Sequence, residues 1–311
     1  MIEVRDLKKS FRDRSVLDGI SFSIRPGEVV GFLGPNGAGK TTTMRILTGF
    51  LTPTSGSVKV AGHDVTAEPL AVKSKVGYLP ELPPLYDEMR VVEYLRFVAR
   101  MRGLSGERVH SRVDEVLSLC QLEREHHRLL SELSRGFRQR VGIAQALIAD
   151  PDVLILDEPT SGLDPVQAAR TKELIRSLAH EHTILFSTHV LSEVEAVADR
   201  VIVMVAGKIA ADGPLSQLQS AQPPEHLLIR FTRNVPEAPA LLSLLPGVKA
   251  VSDLSGGRGP GACVTLSKGH DVTGDVMKVA VERGWPLSAV TPSPPGLERL
   301  IFSILRQEVS A

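Results

Sequence analysis

The sequence predicts an α/β domain that contains an inserted helical segment and is followed by a smaller α+β domain. Three observations predict it: short apolar runs alternating with helical patterns, one long helical stretch without a strand, and a Pro-Pro break late in the chain. Short apolar runs bounded by turn residues are typical of buried strands. The runs that predict such strands are Val29–Leu33, Val153–Leu156, 183–186 and 201–205.

The long helical stretch covers residues 85–150. Its patterns predict helices over Val91–Met101, Glu107–Leu119 and 134–149, with no strand between them. We therefore expect a helical subdomain inserted into the α/β core.

The Pro-Pro break, Pro223-Pro224, places the domain boundary after residue 221, because two prolines cannot continue a helix. The predicted domains are 1–221 and 222–311. The second domain reads strand, helix, strand, strand, helix, strand, which is the order of a ferredoxin-like unit. Its predicted elements, including a final helix, are 227–231, 238–245, 248–251, 262–266, 272–282, 287–290 and 297–305.

Charge and cysteine content narrow the class of function. The 36 basic residues balance the 36 acidic residues, so no net field attracts nucleic acid or an anionic membrane surface. The only cysteines, Cys120 and Cys263, form no metal-binding pattern and fit a reducing compartment. The N-terminus lacks a signal-peptide pattern, and the apolar runs are far below the roughly 18 residues of a membrane span. We expect any membrane association to come through a partner.

A glycine-rich phosphate loop follows the first buried strand and opens a helix predicted over 41–50. It has the spacing G-x-x-x-x-G-K-[ST], in which backbone N–H groups surround phosphate oxygens. Lys40 is expected to reach the β and γ phosphates, and the Thr41 hydroxyl to face Mg²⁺. A chance glycine-rich turn is the alternative, and the flanking strand and helix disfavour it. The predicted nucleotide-binding residues here are Gly34, Pro35, Asn36, Gly37, Ala38, Gly39, Lys40, Thr41 and Thr42.

Two acidic residues, Asp157 and Glu158, end the apolar strand Val153–Leu156. Acids often end strands, so this pattern alone is weak, but beside a phosphate loop it predicts a hydrolytic site. We expect Asp157 to hold Mg²⁺ through water and Glu158 to polarise the attacking water.

The segment Leu133 to Arg140 reads LSRGFRQR and resembles the signature motif of ABC ATPases, whose commonest form is LSGGQ. Ser134 is also a good helix N-cap. The two interpretations agree, because a helix N-terminus is suited to bind a γ-phosphate. The resemblance implies that Ser134 and Gly136 bind nucleotide.

Further features follow the order of that family. Residues 78–81 stand at its Q-loop, with Glu81 as a metal ligand in place of the usual glutamine. Residues 161–164 resemble the D-loop, ending at Asp164, and 187–189 resemble the switch-histidine segment, ending at His189. Phe11 stands where relatives stack an aromatic ring on adenine. Each residue alone has an ordinary structural explanation, and the shared order outweighs it.

The resemblance covers residues 1–221. This part of the sequence is similar to ATPases of ABC-2-type exporters, including the gliding-motility branch. It implies a P-loop NTPase core that binds ATP and Mg²⁺. It also implies a head-to-tail dimer, expected to be a homodimer, in which the segment 134–136 of one subunit closes over the phosphate loop of the other. Glu158 would be the base, and His189 would sense the γ-phosphate. An integral membrane permease would hold the protein at the cytoplasmic face of the membrane, and no nucleic acid partner is expected.

Departures and alternatives accompany this resemblance. Arg135 and Phe137 replace the first glycine and the glutamine of LSGGQ. These changes and Glu81 put the rate and the metal preference in doubt, but not the activity. An ABC ATPase acting on nucleic acid or the ribosome usually carries a long coiled-coil insertion or two cassettes, and this sequence shows one cassette without a heptad run. A non-hydrolysing regulator would lack a base or switch residue, and both are present.

Replacement of Lys40 by alanine tests the phosphate loop. Because Lys40 is the only side-chain cation in the loop, we expect K40A to lose ATPase activity while its circular-dichroism spectrum stays that of the parent. Phosphate release is the measurement. Parental turnover in the folded variant would overturn the assignment.

Overall fold

The computed structural model describes residues 1–12, 14–220, 226–253, 260–267 and 270–293. It divides into two compact units, Met1–Leu215 and Ser216–Ala311. The boundary predicted after residue 221 and the helix predicted over 297–305 both lie outside the described residues.

The first unit contains ten strands and seven α-helices within its described part. The strands are β1 (Ile2–Phe11), β2 (Arg14–Ile24), β3 (Val29–Leu33), β4 (Ser55–Val60), β5 (His63–Asp64), β6 (Val76–Leu79), β7 (Val153–Leu156), β8 (Thr183–Thr188), β9 (Arg200–Val205) and β10 (Lys208–Pro214). The helices are α1 (Lys40–Leu47), α2 (Pro69–Lys75), α3 (Val91–Met101), α4 (Glu107–Leu119), α5 (Arg135–Leu147), α6 (Pro165–Ser177) and α7 (Leu191–Val197). The next helix, α8 (Leu215–Ser220), begins at the division between the units.

A six-stranded sheet in the order β10-β9-β3-β8-β7-β6 forms the centre of this unit. All neighbouring pairs are parallel except β9 with β10. The strands β3, β7 and β8 are buried along their whole length, which explains their continuous apolar runs. Parallel pairing brings the carboxyl ends of these strands to one edge, where ligands of such sheets bind.

A second, antiparallel sheet in the order β2-β1-β4-β5 was not predicted. Its apolar residues pack with Met44 and Leu47 of α1 and with Phe32 of β3 in one core. The register of β1 against β2 shifts after Val4 and again after Leu7. These irregularities interrupt the alternation of apolar and polar residues by which a half-buried strand is recognised in a sequence.

The predicted helical segment is present between β6 and β7. The helices α3, α4 and α5 pack on one another, and a short 3₁₀ turn, Leu130–Glu132, precedes α5. The predicted bounds of α3 and α4 are confirmed, whereas α5 is shorter than the predicted 134–149. Ser134 lies just outside α5 as its N-cap, and its Oγ accepts a hydrogen bond from the Phe137 N–H at 3.5 Å. None of the helices in the described ranges is both long and apolar enough to cross a membrane.

Helix α1 ends earlier than the predicted residue 50. The backbone N–H of Thr48 still reaches the Met44 carbonyl at 3.0 Å, but Gly49 has φ of 65°. A left-handed glycine after the last turn is a common helix stop. The helix that follows the phosphate loop therefore has eight residues.

The second unit has the predicted order of its first six elements. They are β11 (His226–Phe231), α9 (Ala238–Leu242), β12 (Val248–Asp253), β13 (Gly261–Leu266), α10 (Thr273–Glu282) and β14 (Leu287–Ser293). Their sheet has the order β12-β13-β11-β14 with antiparallel neighbours. The third strand thus separates the first two, as in a split βαβ unit. Trp285 packs edge-on against Phe231, with ring centroids 5.8 Å apart, inside a separate apolar core.

Deletion of residues 222–311 tests whether nucleotide binding belongs to the first unit. Every described phosphate-loop, Asp157 and Glu158 contact is made within Met1–Leu215. We expect the truncated chain to bind ATP within roughly twofold of the full chain, measured by titration calorimetry. The same truncation carrying K40A is the matched control. A folded truncation that no longer binds ATP would refute the modular prediction.

Candidate functional site

A cleft of about 580 Å³ opens at the edge where β3, β6, β7 and β8 end. The carboxyl ends of these strands lead into the phosphate loop and into the segments that carry Glu81, Glu158 and His189. Sequence-distant residues therefore meet here because their strands are parallel neighbours. The lining residues are Arg14, Ser15, Val16, Asn36, Gly37, Gly39, Lys40, Thr41, Thr42, Glu81, Glu158, Ser161, His189 and Ala206.

The phosphate loop curls tightly around the Lys40 side chain. The Lys40 ammonium donates to the carbonyl oxygens of Gly34 at 2.7 Å and Pro35 at 3.2 Å. Gly39 has φ of 104°, and a Cβ there would lie 2.6 Å from Leu17 Cδ2. This position therefore requires glycine for its backbone conformation and for the close approach of β2.

Burial and charge act in opposite directions on Lys40. Its side chain is 6% exposed, and Nζ lies 3.6 Å from Glu158 Oε1. Burial lowers the pKa of Lys40 below its ordinary value, while the negative charges of Glu158, Asp157 and Glu81 oppose this lowering. The ammonium is thus held by carbonyl dipoles and nearby carboxylates.

Asp157 is 1% exposed and contacts Thr41, one of the residues lining the cleft. Its Oδ1 accepts hydrogen bonds from the Thr41 hydroxyl at 3.1 Å and from the Ser187 hydroxyl at 2.7 Å. The Asp157 N–H donates to the Leu79 carbonyl at 2.8 Å, which fixes the strand end against β6. The phosphate-loop threonine and the first acid are therefore adjacent, as the sequence predicts.

Glu158 is held by three different neighbours. Its N–H donates to Ser187 Oγ at 2.9 Å, and its Oε2 lies 2.8 Å from His189 Nδ1. Its other carboxylate oxygen faces Lys40. The backbone at Glu158 has φ of 49°, a conformation that strains a residue with a side chain by about 1–3 kcal/mol. The carboxylate is fixed in the cleft at the cost of local strain.

The cleft also offers the oxygen atoms that a hard divalent cation prefers. Thr41 Oγ1 and Asp157 Oδ1 are within hydrogen-bond distance, and the carboxylate of Glu81 lines the same cleft. No cage of three or more His, Cys, Asp or Glu residues exists among the described residues. Mg²⁺ is usually held by one or two carboxylates together with substrate phosphates, and the oxygens of Thr41, Asp157 and Glu81 are of the kind it prefers.

Comparison with known proteins identifies the family. The family model described as ABC transporter matches residues 17–161. The uncharacterized ABC transporter ATP-binding protein YxlF of Bacillus subtilis (strain 168) is 40% identical over 222 residues, which cover 71% of this chain and 74% of that protein. The chain belongs to the family of ABC transporter ATP-binding subunits.

Other relatives of this ABC subunit have names that refer to export or transport. The Nod factor export ATP-binding protein I of Paraburkholderia xenovorans (strain LB400) is 39% identical over 71% of this chain and 73% of that protein. The bacitracin transport ATP-binding protein BcrA of Bacillus licheniformis is 37% identical over 70% of this chain and 71% of that protein.

Solved structures agree with the family and the fold. An ATP-binding subunit of an ABC transporter superimposes with a TM-score of 0.65 at 32% identity, over 71% of this chain and 92% of that one. An ATP-binding cassette in a dimeric post-hydrolysis state, bound to ADP and Pi, superimposes with a TM-score of 0.64 at 25% identity, over 69% and 99% of the two chains. The predicted ABC ATPase fold is confirmed, and the subunit is an ATPase that binds ATP.

Seven predicted nucleotide-binding residues of this ABC subunit are not among the residues lining the described cleft. Three belong to the phosphate loop itself, Gly34, Pro35 and Ala38, and the other four lie elsewhere. Ser134 is exposed at the N-terminus of α5, and Gly136 is buried against Gln167. Asp164 caps α6, because its Oδ1 accepts from the N–H groups of Val166 and Gln167, both at 3.0 Å. Phe11, 46% exposed, lies at the β1–β2 hairpin under the Lys9 ammonium, 4.9 Å from the ring centroid. Their assigned roles stay predictions.

Several cleft residues of the ABC subunit were missed by the sequence analysis. Arg14, Ser15 and Val16 reach the cleft from the first residues of β2, and Ala206 from the turn after β9. Ser187, inside β8, joins Asp157 to the Glu158 backbone. The predicted strand ends at residue 186, so Ser187 falls outside it, within the segment 187–189 that resembles the switch-histidine segment. The only available signal for Ser187 was its place two residues before His189.

The substitution Glu81→Gln tests whether the exposed cleft carboxylate contributes to metal binding. A glutamate offers charged oxygens and a glutamine one neutral carbonyl, and hard cations favour the former. We expect E81Q to need several-fold more free Mg²⁺ for half-maximal ATPase activity at fixed ATP, with a smaller change in the saturated rate. E88Q, at an exposed residue outside the cleft lining, is the control. Superimposable Mg²⁺ curves would leave Glu81 without a metal role.

Proposed function

We propose that this subunit powers an ABC-2-type exporter through ATP-driven closure of a dimer, with Glu158 as the general base. The observation that carries the proposal is the position of the Glu158 carboxylate, between Lys40 and His189 and beside the phosphate loop. A base must lie within reach of the water it activates, next to the phosphate that is attacked.

In the proposed reaction, Glu158 takes a proton from a water molecule as the water oxygen forms a bond to the γ-phosphorus of ATP. The bond between that phosphorus and the bridging oxygen breaks, and ADP leaves with its electron pair. Nδ1 of His189 contacts the Glu158 carboxylate. Nε2 of this half-exposed side chain is therefore available to contact the γ-phosphate. Lys40 exchanges its carbonyl partners for the β and γ phosphates.

Thr41, Asp157 and Glu81 would hold Mg²⁺, which would neutralise phosphate charge as the transition state forms. The residues themselves orient the phosphates. Thr41 and Asp157 share a hydrogen bond, so the two oxygens lie side by side. The N-terminal turn of α1 adds N–H groups and a favourable field for the phosphates.

A second copy of the chain would complete the site. Ser134 is exposed at the N-terminus of α5 and outside the described cleft lining. In a head-to-tail dimer, Ser134 and Gly136 of one subunit would cover the nucleotide held by the other. A homodimer is the simplest such arrangement, and the dimeric cassette among the similar structures supports it.

A partly apolar groove gives the proposed permease a docking surface. The groove has a volume of about 600 Å³ and includes the exposed side chains of Phe50, 76% exposed, and Met101, 71% exposed. Tyr78 and Pro80 line it, and Glu81, the next residue, lines the nucleotide cleft. The segment 78–81 therefore touches both sites. We assign the groove to a segment of the integral membrane permease, which would hold the ATPase at the cytoplasmic face of the membrane.

Export is the proposed direction of transport, because the named relatives include a Nod factor export protein. The exported substrate would be selected by the permease. The comparisons with transporter subunits favour this function over an ATPase acting on nucleic acid or the ribosome.

The substitution Glu158→Gln tests the base and the dimer together. It removes the proton acceptor and keeps the size of the side chain, so ATP should bind without being hydrolysed. We expect E158Q with Mg-ATP to elute as a dimer from size-exclusion chromatography, while phosphate release falls by at least about 100-fold. E158Q carrying K40A should stay monomeric.

The outcomes separate the two parts of the proposal. Persistent hydrolysis in E158Q would remove Glu158 as the base. A hydrolysis-deficient E158Q that binds ATP and stays monomeric would contradict the dimer. S134R can be added to E158Q. If the double variant is monomeric and binds ATP as tightly as E158Q, the exposed signature segment lies in the dimer interface.

A further inference from the structure

Glu193, on α7, links the two segments that carry Glu158 and His189. Its Oε1 accepts a hydrogen bond from the Thr160 hydroxyl at 2.7 Å, and its Oε2 accepts one from the Thr188 hydroxyl. Glu193 is not among the residues lining the described cleft. It therefore acts on the cleft only through its neighbours.

The two threonines are close in sequence to Glu158 and His189, so a displacement of either threonine would move one of these two residues. Thr160 lies two residues after Glu158, and Thr188 immediately precedes His189. They are 7% and 1% exposed, so water cannot readily replace a lost acceptor. Thr188 Oγ1 also accepts from the Val190 N–H at 3.0 Å, which fixes the backbone on the far side of His189.

We infer that Glu193 is a positioning residue that keeps the Glu158 carboxylate and the His189 imidazole in contact. Their contact of 2.8 Å joins a residue that follows β7 to one that follows β8. Glu193 joins the same two segments through Thr160 and Thr188. The inference rests on the roles proposed above for Glu158 and His189.

The chemistry of the bridge predicts a graded series of variants. A carboxylate accepts from both hydroxyls at once. A glutamine can accept from one hydroxyl and donate to the other, so E193Q keeps a bridge, whereas E193A removes it. E193D shortens the side chain and cannot reach both threonines in the same geometry.

Steady-state ATPase assays on the full chain test this inference. We expect E193A to lower kcat by roughly tenfold or more, with the KM for ATP changed less than about twofold, and E193Q to stay within about threefold of the parent. S192A, on the same helix, is the matched control. The same kcat loss is expected from the double variant T160V/T188V, which removes both hydroxyls and leaves Glu193 in place. This double variant replaces E193A in the assay if E193A does not fold.

A double-mutant cycle with H189A separates positioning from a general loss of stability. If Glu193 acts through the Glu158–His189 contact, E193A should lower the residual rate of H189A by less than about twofold. Equal loss in both backgrounds, or parental kcat in folded E193A, would overturn the inference. Full activity in H189A and E158Q themselves would instead overturn the proposed function, so the two failures are distinguishable.

Discussion

The hydroxyl of Ser187 is the contact on which the geometry of the site depends. It is fully buried at the end of β8, donates to Asp157 and accepts from the backbone of Glu158, which follows β7. This arrangement requires β7 and β8 to be parallel neighbours, with Leu156 paired to Phe186. Because β3 pairs with β8 in the same way, the phosphate loop reaches Asp157 through Thr41. One buried hydroxyl therefore connects the acidic strand end to the switch segment.

Contacts within the protein fix the charged side chains of the site. Lys40 is held by two loop carbonyls and faces Glu158, so groups of the protein itself compensate its buried charge. Glu158 keeps a left-handed backbone conformation that the surrounding contacts must stabilise. Both features hold the Lys40 and Glu158 side chains in place through contacts within the protein. Such preorganisation lowers the free energy needed to assemble charges around the transition state.

Short connections join this cleft to the rest of the subunit. The segment 78–81 borders the apolar groove at Tyr78 and the cleft at Glu81. Glu193 joins Thr160, in the loop after β7, to Thr188, the last residue of β8. Physical coupling between nucleotide and partner requires elements of this kind, and not proximity alone.

The sequence by itself determined the elements and site residues whose signal is local. Each of these features occupies one contiguous stretch with a recognisable period or spacing. They are the phosphate loop, Asp157 and Glu158, the buried strands and the helices α3 and α4. The tertiary structure alone decided which stretches meet. It added the irregular antiparallel sheet, the approach of Arg14 to the cleft and the Glu193 bridge, and it left Phe11 and Ser134 outside the cleft lining. The physical reason is that strand register and the packing of distant loops depend on contacts between residues far apart in the chain, and no local pattern encodes those contacts.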